Sequence, residues 1–260
     1  MGRKTRSGEL FETRLRERGA PVALELVVRR PEGAGPFPLV VFNHGSTGDG
    51  TNRRLIRETV EYAGVTRHFN ARGWAVIYPQ RRGRGKSEGT YDEGLEADAA
   101  KGYSCDAAVA LRGLDRAVED VDAVMECVAG LDGLMHDRVI MAGVSRGGAL
   151  AVAYAGHAPD AVAGVVNVSG GWLGRRCADT YEGVNRAAFL RGAPFRGPTL
   201  WLCGTKDPYY RVSHCRSVHE AFVEAGGRGR FESVAIGHNL ITNTRLWIPH
   251  VDRFLAEIAP

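Results

Sequence analysis

A mainly parallel α/β sheet, covered by helices on both faces, is predicted by three features of this 260-residue chain. Short continuous apolar runs recur along it, which is the pattern of strands buried on both sides. Segments with the 3.6-residue periodicity of amphipathic helices lie between them. One apolar run also passes through Gly143-Val144-Ser145-Arg146-Gly147 into an Ala-rich helical stretch. That strand–turn–helix junction is the setting in which a tight turn lifts a serine hydroxyl clear of a sheet edge.

The elements follow in order. Residues 20–30 read as an early strand, and 31–38 as a Gly/Pro turn. Residues 39–42 form a buried strand ending at Asn43-His44-Gly45, and 74–79 form the next one. In 111–128, Leu114, Val118, Val121, Met125 and Val128 share one helical face, with carboxylates opposite. Residues 139–144 lead into Ser145, and further strands are expected at 161–168, 199–203 and 231–236. Pro249 is expected to begin a last helix, with Val251, Phe254, Leu255 and Ile258 as its apolar face. No repeat or linker divides the chain, so 1–260 is expected to be one domain. Within it, 170–197 is long enough for a small lid and carries Trp172, Tyr181, Phe189 and Phe195.

Composition narrows the function classes. Apolar content of 44% and charged content of 25% are ordinary for a water-soluble domain. The net charge of +4 comes from scattered basic residues without interleaved aromatics, which disfavours nucleic acid as a partner. No apolar run approaches the ~18 residues needed to span a membrane, so no membrane partner is expected. The first twenty residues lack the apolar core of a signal peptide, so a cytoplasmic location is expected. The five cysteines include no Cys-x-x-Cys pair, and no metal site or organic cofactor is expected. Cys127 and Cys203 fall in apolar patterns. Cys105 and Cys177 lie in loop-like segments and are expected to be free thiols, with pairing as the alternative in an oxidising compartment. The oligomeric state is left open.

The chemistry-bearing residues are spread along the chain in a set order. Ser145 comes first. Asp207 follows the strand at 199–203, in Gly204-Thr205-Lys206-Asp207-Pro208, and His238 follows the strand at 231–236, in Ile236-Gly237-His238-Asn239. Asp179 and Glu182 are weaker candidates for the acid, because no strand precedes them. A serine hydroxyl is a poor nucleophile at neutral pH, so it needs a histidine to take its proton and a carboxylate to hold that histidine.

This order of serine, acid and histidine on a mainly parallel sheet resembles the α/β-hydrolase fold over nearly the whole chain. The resemblance implies Ser145 as nucleophile, His238 as base and Asp207 as the acid. It also implies an oxyanion hole made by the backbone N–H groups of Arg146, just after the nucleophile, and Ser46, in the loop Asn43-His44-Gly45-Ser46-Thr47-Gly48. His44 would be structural there. The segment Gln80-Arg81-Arg82-Gly83-Arg84-Gly85-Lys86-Ser87-Glu88-Gly89 is not a P-loop, since Gln80 stands where that motif needs glycine. It is similar to the Arg-Gly-x-Gly-x-Ser-x-Gly loop of the dienelactone-hydrolase-like and prolyl-oligopeptidase-like branches, where its role is architectural. The compact size and serine nucleophile best resemble stand-alone dienelactone-hydrolase-like serine esterases.

Trp172, Tyr209 and Arg82 are expected to border the substrate pocket, with Tyr91, Tyr103 and Tyr210 as further candidates. Arg82, Arg146 and Arg175 are expected to favour acyl groups bearing a carboxylate. The expected activity is hydrolysis of a small-molecule carboxylic ester through an acyl-enzyme. The alternatives are a peptidase or amidase of the prolyl-oligopeptidase-like branch with the same triad, an acyltransferase, and a non-catalytic binding protein of the same fold.

Overall fold

The computed structural model describes residues 8–258. Its strands are β1 (Glu9–Glu17), β2 (Ala20–Arg29), β3 (Phe37–Asn43), β4 (Ala75–Pro79), β5 (Leu134–Val144), β6 (Gly164–Val168), β7 (Pro198–Gly204) and β8 (Arg228–Val234). Its α-helices are α1 (Arg53–Ile56), α2 (Ala63–Asn70), α3 (Ala107–Ala129), α4 (Arg146–His157), α5 (Tyr181–Leu190), α6 (Val212–Glu224) and α7 (Thr244–Ile258). The eight strands form one sheet in the order β1-β2-β4-β3-β5-β6-β7-β8. Pairing is antiparallel from β1 through β2 to β4, and parallel from β4 to β8.

Alternation along the strands explains why both faces need helices. Leu39, Val41, Ile77, Val139, Met141 and Val165 point into one core, which α3, α4, α5 and α6 cover. Val40, Phe42, Val76, Ile140, Ala142 and Val166 point the other way, into a core closed by α2 and α7. Successive side chains alternate between faces, so a continuous apolar run satisfies both layers. The predicted fold class is the observed one.

Three differences from the sequence reading have physical causes. Strand β1 was not expected, because charges crowd Glu9–Glu17; Phe11, Thr13, Leu15 and Glu17 turn inward on alternate positions. Helix α7 begins before Pro249 rather than at it. Burial of Trp247, whose Nε1 donates to Ile241 O (3.0 Å), fixes the turn ahead of the proline. Cys105 and Cys177 are joined in a disulfide, with Cα atoms 5.2 Å apart, which corrects the free-thiol expectation. The bridge ties the loop before α3 to the segment after β6, and sequence spacing alone gave no sign that the two loops meet.

A buried ionic cluster lies under the parallel strands' C-terminal ends. Arg81 Nε donates to Glu93 Oε1 (2.6 Å), and Arg81 Nη2 donates to His44 O (3.1 Å). Arg146 Nη1 donates to Glu93 O (2.6 Å). Burial alone would raise the Glu93 carboxyl, but Arg81 and Arg146 outweigh it and hold it below the usual carboxylate range. Further polar groups of the 80–89 loop are also spent internally. Lys86 N–H donates to Glu25 Oε2 (2.7 Å), Val60 N–H donates to Gln80 Oε1 (2.8 Å), and Ser87 Oγ donates to Gln80 O (2.6 Å).

Two stability predictions follow from these tethers. Replacing Glu93 by alanine leaves two buried guanidinium groups without their counter-charge and is expected to destabilise the fold by about 3–5 kcal/mol. Urea unfolding at neutral pH measures it, and a loss well under 1 kcal/mol would contradict the cluster. The double variant Cys105→Ala/Cys177→Ala removes a cross-link between residues 72 apart in sequence. It is expected to lose about 2–4 kcal/mol by the same measurement, and reducing agent is expected to lower the melting temperature of wild type but not of the variant.

Candidate active site

Ser145 sits between the end of β5 and the start of α4 with φ 57° and ψ −126°, a conformation that non-glycine residues rarely adopt. Its N–H donates to Val168 O (3.0 Å), and its carbonyl accepts from Gly148 N–H (2.9 Å) and Gly171 N–H (3.2 Å). The surrounding backbone therefore over-determines the strained turn. The flanking glycines are required by close approach. A Cβ on Gly143 would stand 2.2 Å from Gly147 O, and one on Gly147 would stand 2.1 Å from Asn43 O.

Asp207 lies in the loop after β7. Its Oδ1 accepts the N–H groups of Tyr209 (2.8 Å) and Tyr210 (3.1 Å), so the loop itself fixes the carboxylate. Its Oδ2 faces His238 Nδ1 at 2.7 Å. His238 follows β8, and the loop that presents it is braced by Lys206 N–H donating to Ile236 O (3.0 Å). The His238 ring is flanked by Tyr209 and Tyr210, with centroids at 4.7 and 5.6 Å. With Nδ1 engaged by Asp207, Nε2 is the ring nitrogen left to exchange a proton.

The loop after β3 closes the other side. His44 is buried, and its Nδ1 donates to Gly45 O (2.8 Å). Burial, then Arg81 and Arg84, hold this imidazole well below the usual histidine range, so it stays neutral. Thr47 N–H donates to the Tyr103 hydroxyl (3.3 Å). Ser46 and Arg146 both border the cavity, and among the described residues neither backbone N–H is committed to a protein acceptor.

These groups open onto one cavity of about 830 Å³. It brings together Ser145, His238, Ser46 and Arg146 with Trp172, Tyr103, Tyr209 and Tyr210. Arg82 does not border it. Its guanidinium is buried against Asp120 and Glu119, and the Arg82 backbone N–H donates to Asp120 Oδ2 (3.0 Å), which corrects the expected pocket role. Tyr91 is also outside the lining and hydrogen-bonds to the Tyr103 hydroxyl. Arg176, rather than Arg175, reaches the cavity, where its guanidinium donates to Tyr103 O. Arg146 is spent on Glu93 and on the Tyr103 and Trp172 rings, whose centroids lie 3.5 and 4.6 Å from its guanidinium carbon. Sequence reading also missed Tyr62, Ile241 and Thr242, which line the cavity from segments that carry no motif. Of the 170–197 segment, the stretch 172–177 supplies lining residues, whereas α5 buries Tyr181, Val184 and Phe189 in the main core.

Among the described residues no helix is long and apolar enough to cross a membrane. Comparison with known proteins agrees with this geometry at the level of fold. Est1E from Butyrivibrio proteoclasticus, in a structure with ferulic acid bound, superposes with a TM-score of 0.64 at 18% identity, over 91% of this chain and 95% of that one. Acetyl xylan esterase 1 from Thermoanaerobacterium sp. JW/SL YS485 gives 0.58 at 18% identity, over 88% and 82% of the two chains. The acylaminoacyl peptidase of Pyrococcus horikoshii gives 0.61 at 13% identity, over 97% of this chain but 41% of that one. No curated protein matches the chain in sequence. The family model for the alpha/beta hydrolase fold matches residues 38–183, more than half the chain. With that match and this sheet order, the chain belongs to the alpha/beta hydrolase fold family.

Proposed function

We propose that this protein hydrolyses carboxylic esters of small molecules through an acyl-enzyme on Ser145, as a relative of the dienelactone-hydrolase-like serine esterases. The observation that carries the reading is the His238–Asp207 pair at 2.7 Å, with His238 opening onto the same cavity as a serine in a strained turn. As Ser145 Oγ attacks the ester carbonyl carbon, His238 Nε2 takes its proton and Asp207 holds the resulting imidazolium through Nδ1–H. The carbonyl oxygen becomes an oxyanion and meets the N–H groups of Arg146 and Ser46. Loss of one such donor typically costs about 3–4 kcal/mol of transition-state stabilisation. Collapse breaks the bond to the alcohol, which leaves with the proton from His238. Water then repeats the sequence on the acyl-enzyme, releasing the acid and regenerating the serine.

A second reading, cleavage of peptides or amides by the same residues, draws support from the fold shared with the acylaminoacyl peptidase. Esters are favoured because an amine leaves only when protonated in place, which demands closer placement of the His238 proton than an alcohol leaving group does. The Cys105–Cys177 bridge favours an oxidising compartment over the cytoplasmic location expected from the sequence.

The test compares kcat/KM for an ester and an anilide of the same acyl group, each corrected for its uncatalysed rate, with Ser145→Ala as control. The ester is expected to be accelerated far more, and Ser145→Ala is expected to lose essentially all activity while staying folded. Equal acceleration of the anilide moves the assignment to peptidase, and a fully active Ser145→Ala ends the serine mechanism. His44 is expected to add no step to the pH dependence of kcat/KM, because burial and its arginine neighbours keep it neutral. A profile with two histidine steps, with chemistry rate-limiting, contradicts this.

A further inference from the structure

Tyr210 contacts Asp207 and His238 and lines the same cavity as Ser145, and the mechanism above does not use it. Its N–H donates to Asp207 Oδ1 (3.1 Å). Its ring packs against the His238 ring, with centroids 5.6 Å apart. The side chain is buried, and its hydroxyl donates to Gly171 O (2.8 Å) on the cavity wall it shares with Ser145. Gly171 N–H in turn donates to Ser145 O (3.2 Å). The ring reaches this place because residue 171 is a glycine; a Cβ there would stand 2.4 Å from the Tyr210 ring.

A phenol carries one proton and also accepts through its oxygen lone pairs. The Tyr210 proton is committed to Gly171 O, so toward Ser145 the oxygen presents a lone pair. We propose that Tyr210 is a positioning residue for the nucleophile: its phenol oxygen accepts the Ser145 Oγ–H in the resting site and fixes the serine rotamer from which Oγ attacks. When substrate binds, that proton passes to His238 Nε2, and the phenol remains neutral throughout. Burial raises the Tyr210 hydroxyl above the usual tyrosine range, which keeps it a hydrogen-bonding group and not a base. One side chain thereby orients the acid through its backbone, the base through its ring and the nucleophile through its hydroxyl.

This inference rests on the serine-hydrolase reading, and the experiment separates the two. A fluorophosphonate probe is first applied to wild type and Ser145→Ala. Ser145 Oγ displaces fluoride from phosphorus, so labelling of wild type alone secures the nucleophile. Labelling of neither ends the hydrolase reading, and the inference with it. Tyr210→Phe keeps the ring against His238 and the N–H on Asp207, and removes only the hydroxyl. Its labelling rate and its kcat on a neutral ester are expected to fall about ten-fold, the scale of one lost hydrogen bond. KM is expected to stay within about two-fold, since the hydroxyl binds the nucleophile and not the substrate. Unchanged kcat and labelling rate, or a loss confined to KM, overturns the proposal. Should Tyr210→Phe fail to fold, Gly171→Ala keeps the phenol but pushes its ring away from Ser145. The same fall in kcat is expected there, and wild-type kcat overturns the proposal.

Discussion

One buried carboxylate, Glu93, lies between Arg81 and Arg146, and the geometry of the site hangs on that contact. Arg146 is the residue after the proposed nucleophile, and Arg81 holds the carbonyl of His44 at the start of the facing loop. None of the three charges is tolerable in the interior alone, since an unpaired buried charge is strongly disfavoured. The segments that carry them must therefore assemble together. The two proposed oxyanion donors, Arg146 N–H and Ser46 N–H, belong to the two segments that this cluster brings side by side. The Tyr103 and Trp172 rings cover the Arg146 guanidinium, so the same cation also organises the cavity wall.

Much of this architecture was legible in the sequence because two physical signals are local. Apolar runs marked the strands from β2 to β7, since strands buried on both faces need no partner information to be recognised; β8, half-exposed at the border, was read as 231–236 and begins earlier, at Arg228. The Gly143–Gly147 turn marked Ser145, because backbone crowding there admits little but glycine. Asp207 and His238 became candidates from their places after strands. What escaped depends on contacts between distant segments. Arg82 of the 80–89 loop was expected at the pocket, and only the fold reveals that it is consumed by Asp120 and Glu119. Arg175 and Arg176 are adjacent in sequence, and only the chain path decides which one enters the cavity. The pairing of Cys105 with Cys177 is equally non-local.

That disulfide also shapes how the cavity is built. One wall comes from Tyr103, just before Cys105, and the other from the stretch 172–177 that ends at Cys177. Thr180 Oγ1 donates to Cys105 O (2.8 Å) and the Arg176 guanidinium donates to Tyr103 O, so hydrogen bonds repeat what the covalent link does. The walls are thus held to each other and not only to the sheet beneath.

The charges that concealed β1 have a use of their own. A sheet that is not closed on itself ends in two strands with unpaired backbone groups, each able to template a strand from another molecule. Here those ends are β1 and β8. Glu9, Glu12, Arg14 and Arg16 stud the first, while Arg228, Arg230 and Glu232 stud the second. A foreign strand approaching either border would have to bury charges of both signs. The residues least informative about where the sheet begins are those that stop it from growing further.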